Sequence, residues 1–195
     1  MPTRAVLIAA GPTPWDVEGR IVGNSSLPLT AEAMDAIRHL LDKAPSPING
    51  VYRAAANEAC EQVSQMIARK HGIRPRDNRD LDEVRMGLWQ GLFPEDIRTR
   101  FPTVFRQWEE QPLAVTPPDG EPLEAAIQRI RAALNRIARK SKGLTIAVAL
   151  RPMAFQIARG ILRVQSPVQI AGRLRERLAI ETIEIDPAAM KALLE

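Results

Sequence analysis

Apolar and polar positions follow two periods along this chain. Arg4-Ala5-Val6-Leu7-Ile8-Ala9 is a short apolar run ending at Gly11-Pro12, which predicts a buried first strand feeding a loop. That loop spans 11–29 and is rich in Gly, Pro, Asn and Ser. Loops of such length in compact domains are usually functional. Thr30 is placed to cap a helix running to about Lys43, with Glu32 in the first turn and Ala33, Ile37, Leu40 and Leu41 on its apolar face. Ile48-Asn49-Gly50-Val51-Tyr52 predicts a second strand. A helix follows from about Ala55 to Lys70, with Ala56, Cys60, Val63 and Ile67 as its stripe and Gly72 closing it. Residues 73–80 read as charged and irregular.

The aromatics Trp89, Phe93, Phe101, Phe105 and Trp108 gather in 81–120, which predicts one or two short helices packed over the domain. A cap-like helical insertion is expected at about 84–120. An amphipathic helix covers about Pro122 to Lys140, with Leu123, Ile127, Ile130, Leu134 and Ile137 on one face. Thr145 to Leu150 is the clearest buried strand, and a helix over 153–163 follows. Glu181 to Asp186 predicts a last strand, and a short helix is expected at the C-terminus. Strands alternate with helices throughout. The fold class is therefore α/β: a three-layer α/β/α sandwich with a mostly parallel central sheet, in one domain over 1–195. Ligands in such sheets bind at the carboxyl ends of strands, here just after Ile8, Tyr52 and Leu150.

Composition narrows the setting. The chain has 195 residues, 45% hydrophobic and 26% charged, as in an ordinary globular protein. One cysteine, Cys60, excludes an internal disulfide and points to a reducing compartment. The run Ala5 to Ala10 is too short for a signal-peptide core, and no stretch approaches the roughly 18 apolar residues of a membrane helix. A cytoplasmic protein with no membrane partner is expected. The net charge is +4, with 22 Arg against 5 Lys, a bias that fits a GC-rich bacterial genome. Basic residues gather at 129–142 and 159–177. No aromatic interleaving or nucleic-acid motif accompanies them, so they read as solvated helix faces and not as a nucleic-acid surface.

At the three strand ends the sequence resembles the histidine phosphatase (phosphoglycerate mutase-like) superfamily. The stretch Val6 to Arg20 is similar to a signature in which a strand ends in Arg-His-Gly-Glu-Thr, followed by Trp-Asn and Glu-Gly-Arg. Gly23, Pro28-Leu29-Thr30, Leu81-Asp82-Glu83, Gly87 to Leu92, Phe101-Pro102 with Trp108, and Pro117 to Glu121 extend the match. The resemblance implies a phosphoglycerate mutase-like fold and a covalent phosphohistidine chemistry. The departures fall on that chemistry. Ala10 stands at the nucleophile and Ala9 at the adjoining arginine. A methyl group has no lone pair to attack phosphorus. Glu58 stands at a phosphate-binding arginine, Arg151 at the second histidine and Asp16 at the Asn after the Trp. Glu83, the family's proton donor, and Arg20 in the substrate loop are retained.

No other residue replaces the nucleophile. His39 and His71 lie on helices away from strand ends, and Cys60 sits on an apolar stripe, with Met66 where a cysteine phosphatase needs an arginine. On this alignment Asp16, Glu58 and Glu83 oppose Arg151 alone, a formal sum of −2. At an effective dielectric near 20, each carboxylate about 4 Å from a phosphate charge costs on the order of 4 kcal/mol. An ion pair of Arg151 with Glu58 or Glu83 is expected to fill the space.

Three functions follow as expectations. The first is a catalytically inactive histidine phosphatase-like protein, a pseudoenzyme with a scaffold, regulatory or ligand-binding role. The second is a divergent enzyme with Glu83 as acid or base and Arg151 as a clamp. The third is a small-molecule sensor using Trp15, Arg20 and the 11–29 loop. No cofactor or metal is expected. The partner is an unidentified protein or small molecule, and the 81–108 segment is open to a homodimer contact.

Overall fold

The computed structural model describes residues 2–174 and 179–186. Strand β1 (Thr3–Ala9) lies beside β4 (Thr145–Leu150) at the heart of a five-stranded sheet. Its order is β3 (Pro75–Asn78), β2 (Gly50–Ala54), β4, β1, β5 (Ile180–Ile185). All pairings are parallel except that of β5 with β1. Because side chains alternate across a strand, the apolar runs bury both faces. Leu7, Ile146, Val148 and Leu150 enter one core, and Val6, Ile8, Ala147 and Ala149 the other.

The second core is closed by α2 (Ala31–Asp42) and α3 (Glu58–His71). The first is closed by α6 (Leu123–Lys140) and α7 (Pro152–Leu162), with α8 (Pro167–Ala171) joining them. All five residues predicted for the apolar face of α6 are buried. Short helices α4 (Pro94–Arg100) and α5 (Pro102–Glu110) add Ile97 and Phe105 to this core. The ring of Trp89 meets Phe105 and Trp108 edge-on at 5.5 and 5.8 Å, so these three aromatics pack inward, while Phe101 stays exposed. No helix among the described residues is long and apolar enough to cross a membrane.

Several expectations need correction. Residues 75–78 form the edge strand β3, not an irregular stretch; its Pro-Arg-Asp-Asn sequence is polar because one side of an edge faces water. Helix α3 starts at Glu58, three residues later than predicted, because Asn57 caps it by accepting the Cys60 N–H, and Ala56 is left exposed outside it. The loop 11–29 contains a one-turn helix, α1 (Pro14–Glu18). The expected C-terminal helix, and Arg175 and Arg177 of the second basic cluster, lie outside the described residues.

The basic residues of α6 are also not simply a solvated face. Arg129 makes a two-pronged pair with Glu121, Nε to Oε1 at 2.7 Å and Nη2 to Oε2 at 2.9 Å. Its Nη1 donates to the carbonyls of Asp80 and Asp82, and Nη2 to that of Glu83. One guanidinium thus ties α6 to the backbone that carries Glu83. Gly87 lets the neighbouring turn close: its φ is +52°, and a Cβ there would lie 1.9 Å from the Pro118 carbonyl.

Candidate functional site

A cleft of about 360 Å³ opens where β1 and β4 end. Its polar lining is Asp16, Arg20, Glu83, Glu109 and Arg151, and its apolar walls include Met86, Phe105, Trp108 and Met153. The position matches the expected carboxyl end of the sheet.

Arg151 is the N-cap residue of α7 and is only 1% exposed. Its partner is neither Glu58 nor Glu83, as the sequence suggested, but Asp16. Arg151 Nη2 donates to Asp16 Oδ2 at 2.7 Å, and Nη1 donates to the Ala10 carbonyl. Asp16 Oδ2 also accepts the Thr13 backbone N–H and the Thr13 hydroxyl, each at 2.7 Å. Burial works to raise the Asp16 pKa, but the Arg151 charge and the Thr13 hydrogen bonds outweigh it and hold the carboxyl below its usual range. The pair lies against Gly11, where a Cβ would stand 3.0 Å from Arg151 Nη1.

Glu83 is buried and faces the first turn of α7. Oε1 accepts the Val84 and Ala154 N–H groups, and Oε2 accepts that of Met153. Pro152 at the first helical position lacks an N–H, and the Arg151 side chain makes no capping bond, so Glu83 supplies the cap. Burial pushes the Glu83 pKa up, against the pull of these N–H donors and of Arg151.

Glu58 is not in the cleft. It is exposed at the start of α3, and its N–H donates to Ser26 Oγ. The Ala59 N–H donates to the Leu27 carbonyl and the Cys60 N–H to Asn57. The 25–27 segment therefore seals this helix end. Ala9 and Ala10 do not line the cleft either: the Ala10 methyl is fully buried in the second core. Trp15 is half-buried and packs on Gly91. Arg20 does line the cleft, braced by Glu18, the Gly91 carbonyl and the Phe93 ring at 4.3 Å. The structure thus brings together Asp16, Arg20, Glu83 and Arg151, and leaves out Ala9, Ala10, Trp15 and Glu58.

Sequence reasoning missed Thr13, which is fully buried beneath the cleft. The spacing Thr13-x-x-Asp16, a capping-box pattern, was the available signal. Its hydroxyl donates to a carboxylate of depressed pKa, a weak base, so it is no activated nucleophile. The Cys60 thiol is pushed up to about 12 by burial. His39 is exposed on α2, and His71 is half-buried at the end of α3. Among the described residues no His, Cys, Asp and Glu group is arranged to hold a metal ion.

Comparison with known proteins agrees with this geometry. The profile of the histidine phosphatase superfamily (branch 1) matches residues 5–157. Phosphoglycerate mutase-like protein 4 of Arabidopsis thaliana is 29% identical over 147 residues, which covers 73% of this chain and 64% of that protein. The chain thus spans under two thirds of that relative. The structure of Bacillus stearothermophilus YhfR is similar over 94% of this chain and 92% of its own, with a TM-score of 0.81 and 22% identity. A histidine-to-alanine mutant of Entamoeba histolytica phosphoserine phosphatase, in complex with phosphoserine, is similar over 92% of this chain and 89% of its own, with a TM-score of 0.77 and 17% identity.

Proposed function

This chain belongs to the histidine phosphatase superfamily, and from that premise we propose that it has given up phosphoryl transfer and acts as a binding protein through its cleft. One observation carries the reading. The donors gathered at the carboxyl end of the sheet are, apart from Arg151 Nε, occupied by oxygens of the chain itself: Thr13 and Arg151 Nη2 by Asp16, the start of α7 by Glu83, and the start of α3 by Ser26, Leu27 and Asn57. A phosphate dianion would have to displace one of these and then face the remaining carboxylates. The alanine at the family's nucleophile position agrees, since a methyl group carries no phosphoryl. The apolar walls favour a small-molecule ligand with a neutral or cationic polar end. The single cysteine supports a reducing, cytoplasmic setting.

The test is turnover of generic phosphomonoesters by purified protein, beside a variant carrying Ala9→Arg, Ala10→His, Glu58→Arg and Arg151→His. The wild type is expected to show no release of phosphate above a mock purification. Robust wild-type turnover would overturn the reading. A second reading, a divergent enzyme on another substrate class, draws on the raised pKa of Glu83, as a general acid would need. A pH-rate profile that loses its Glu83 limb in Glu83→Gln would establish it.

A further inference from the structure

We infer that Asp16 is the residue that sets the charge class of the ligand, because its carboxylate occupies an oxyanion hole formed by Thr13 and Arg151. The inference rests on the binding reading above and deepens it. Three donors converge on the single oxygen Asp16 Oδ2: the Thr13 N–H, the Thr13 hydroxyl and Arg151 Nη2, each at 2.7 Å. Convergent donors of this kind recognise an oxygen of sulfate, phosphate or carboxylate. The Thr13 contacts alone would be a local cap of α1. Arg151 is different: it comes from 135 residues away, is 1% exposed and has a buried Nε without a hydrogen-bond partner among the described residues. A buried guanidinium needs an anion, and the chain supplies one. Asp16 belongs to a one-turn helix with no buried residue, so these three bonds are what tie its carboxylate to the core.

With Asp16 in place the hole is filled, and the cleft offers Arg20, carboxylates and apolar wall. Without it, the same floor presents a guanidinium freed of its hydrogen-bonded carboxylate, a hydroxyl and an N–H to whatever enters. A single side chain therefore divides neutral or cationic ligands from oxyanions.

The experiment follows thermal unfolding of the full chain with inorganic sulfate or phosphate against chloride at matched ionic strength. Sulfate stabilises folded proteins in general, so the quantity read is the excess of a variant over wild type. Asp16→Ala is expected to gain an excess of about 5 °C at 50 mM sulfate, as for a millimolar site. The double variant Asp16→Ala with Arg151→Met should lose it. Asp16→Asn, which keeps the shape and removes the charge, should gain a smaller excess, and it decides the matter if Asp16→Ala does not fold. An equal response in wild type and variant overturns the inference, and so does no excess in a folded variant. Phosphomonoester turnover by the wild type would instead strike the binding reading and leave the anion response of the variants where it stands.

Discussion

Two arginines of this molecule hold carboxylates in opposite ways. Arg129 is fully engaged: Nε, Nη1 and Nη2 all donate, to both oxygens of Glu121 and to three backbone carbonyls. Arg151 is more deeply buried, yet it reaches one oxygen of Asp16 and one carbonyl, and its Nε has no hydrogen-bond partner among the described residues. The first arrangement spends every donor on fixing the chain, which is what a structural clamp requires. The second leaves capacity unused at the floor of a cleft. Unsatisfied buried polar atoms are costly, and this one belongs to a side chain that lines the cleft, where a ligand can meet it. The contrast separates a device that holds the site from the site itself.

The largest expected effect breaks the clamp. Arg129→Ala leaves Glu121, whose side chain is 4% exposed, without its charge partner and frees three carbonyls. Breaking such a pair from one side costs about 3–5 kcal/mol. For a chain of this size that lowers Tm by roughly 6–20 °C at about 2–4 °C per kcal/mol. Arg129→Lys should recover little, since an ammonium cannot form the fork. A loss under about 1 kcal/mol in Arg129→Ala would erase the contrast with Arg151.

A smaller effect sharpens the comparison at Arg151. Asp16→Ala strands a buried guanidinium and is expected to cost about 2–3 kcal/mol, part of it met by the Ala10 carbonyl. Arg151→Met leaves Asp16, which keeps its Thr13 donors and some water, and should cost about 1–2 kcal/mol. The double variant should be more stable than the sum of the two by about 1–2 kcal/mol. Strictly additive losses in a denaturant double-mutant cycle would mean that the pair is not coupled.

The same contrast explains what the sequence could disclose. The two cores were legible because period carries them: the stripe of α6 and the runs in β1 and β4 alternate as burial demands. The edge strand β3 was not, because four polar residues carry no burial signal. At the site, the family pattern located Asp16, Arg20, Glu83 and Arg151, all of which line the cleft. It misplaced Glu58, because a position that holds an arginine toward a pocket does not hold a glutamate there: Ser26 and Leu27 already fill the helix end, and the carboxylate turns to water. Which acid meets Arg151 was also beyond reach, since that choice depends on the path of the 11–16 loop. Arg129 looked like surface charge because nothing in a one-dimensional reading shows three carbonyls converging on one guanidinium.

The smallest effect concerns the sign of a slope. Asp16 and Glu121 are held below their usual pKa by their arginines, so their share of stability is present above the ordinary carboxylate range and is lost as pH falls through their folded values. Glu83 is pushed the other way by burial, so the folded protein holds its proton more tightly than the unfolded chain does. Its share is therefore present in acid and declines as pH rises from about 4.3, the unfolded value, through the folded one. Glu83→Gln removes that decline. The difference between wild-type and Glu83→Gln unfolding free energies, measured by denaturant from pH 4 to pH 8, should fall with rising pH. A difference that rises would mean that the three N–H donors of Val84, Met153 and Ala154 outweigh burial. Glu83 would then be an ionised cap on α7, of the same structural kind as Glu121 beside Arg129, and the acid/base reading of the cleft would lose its footing.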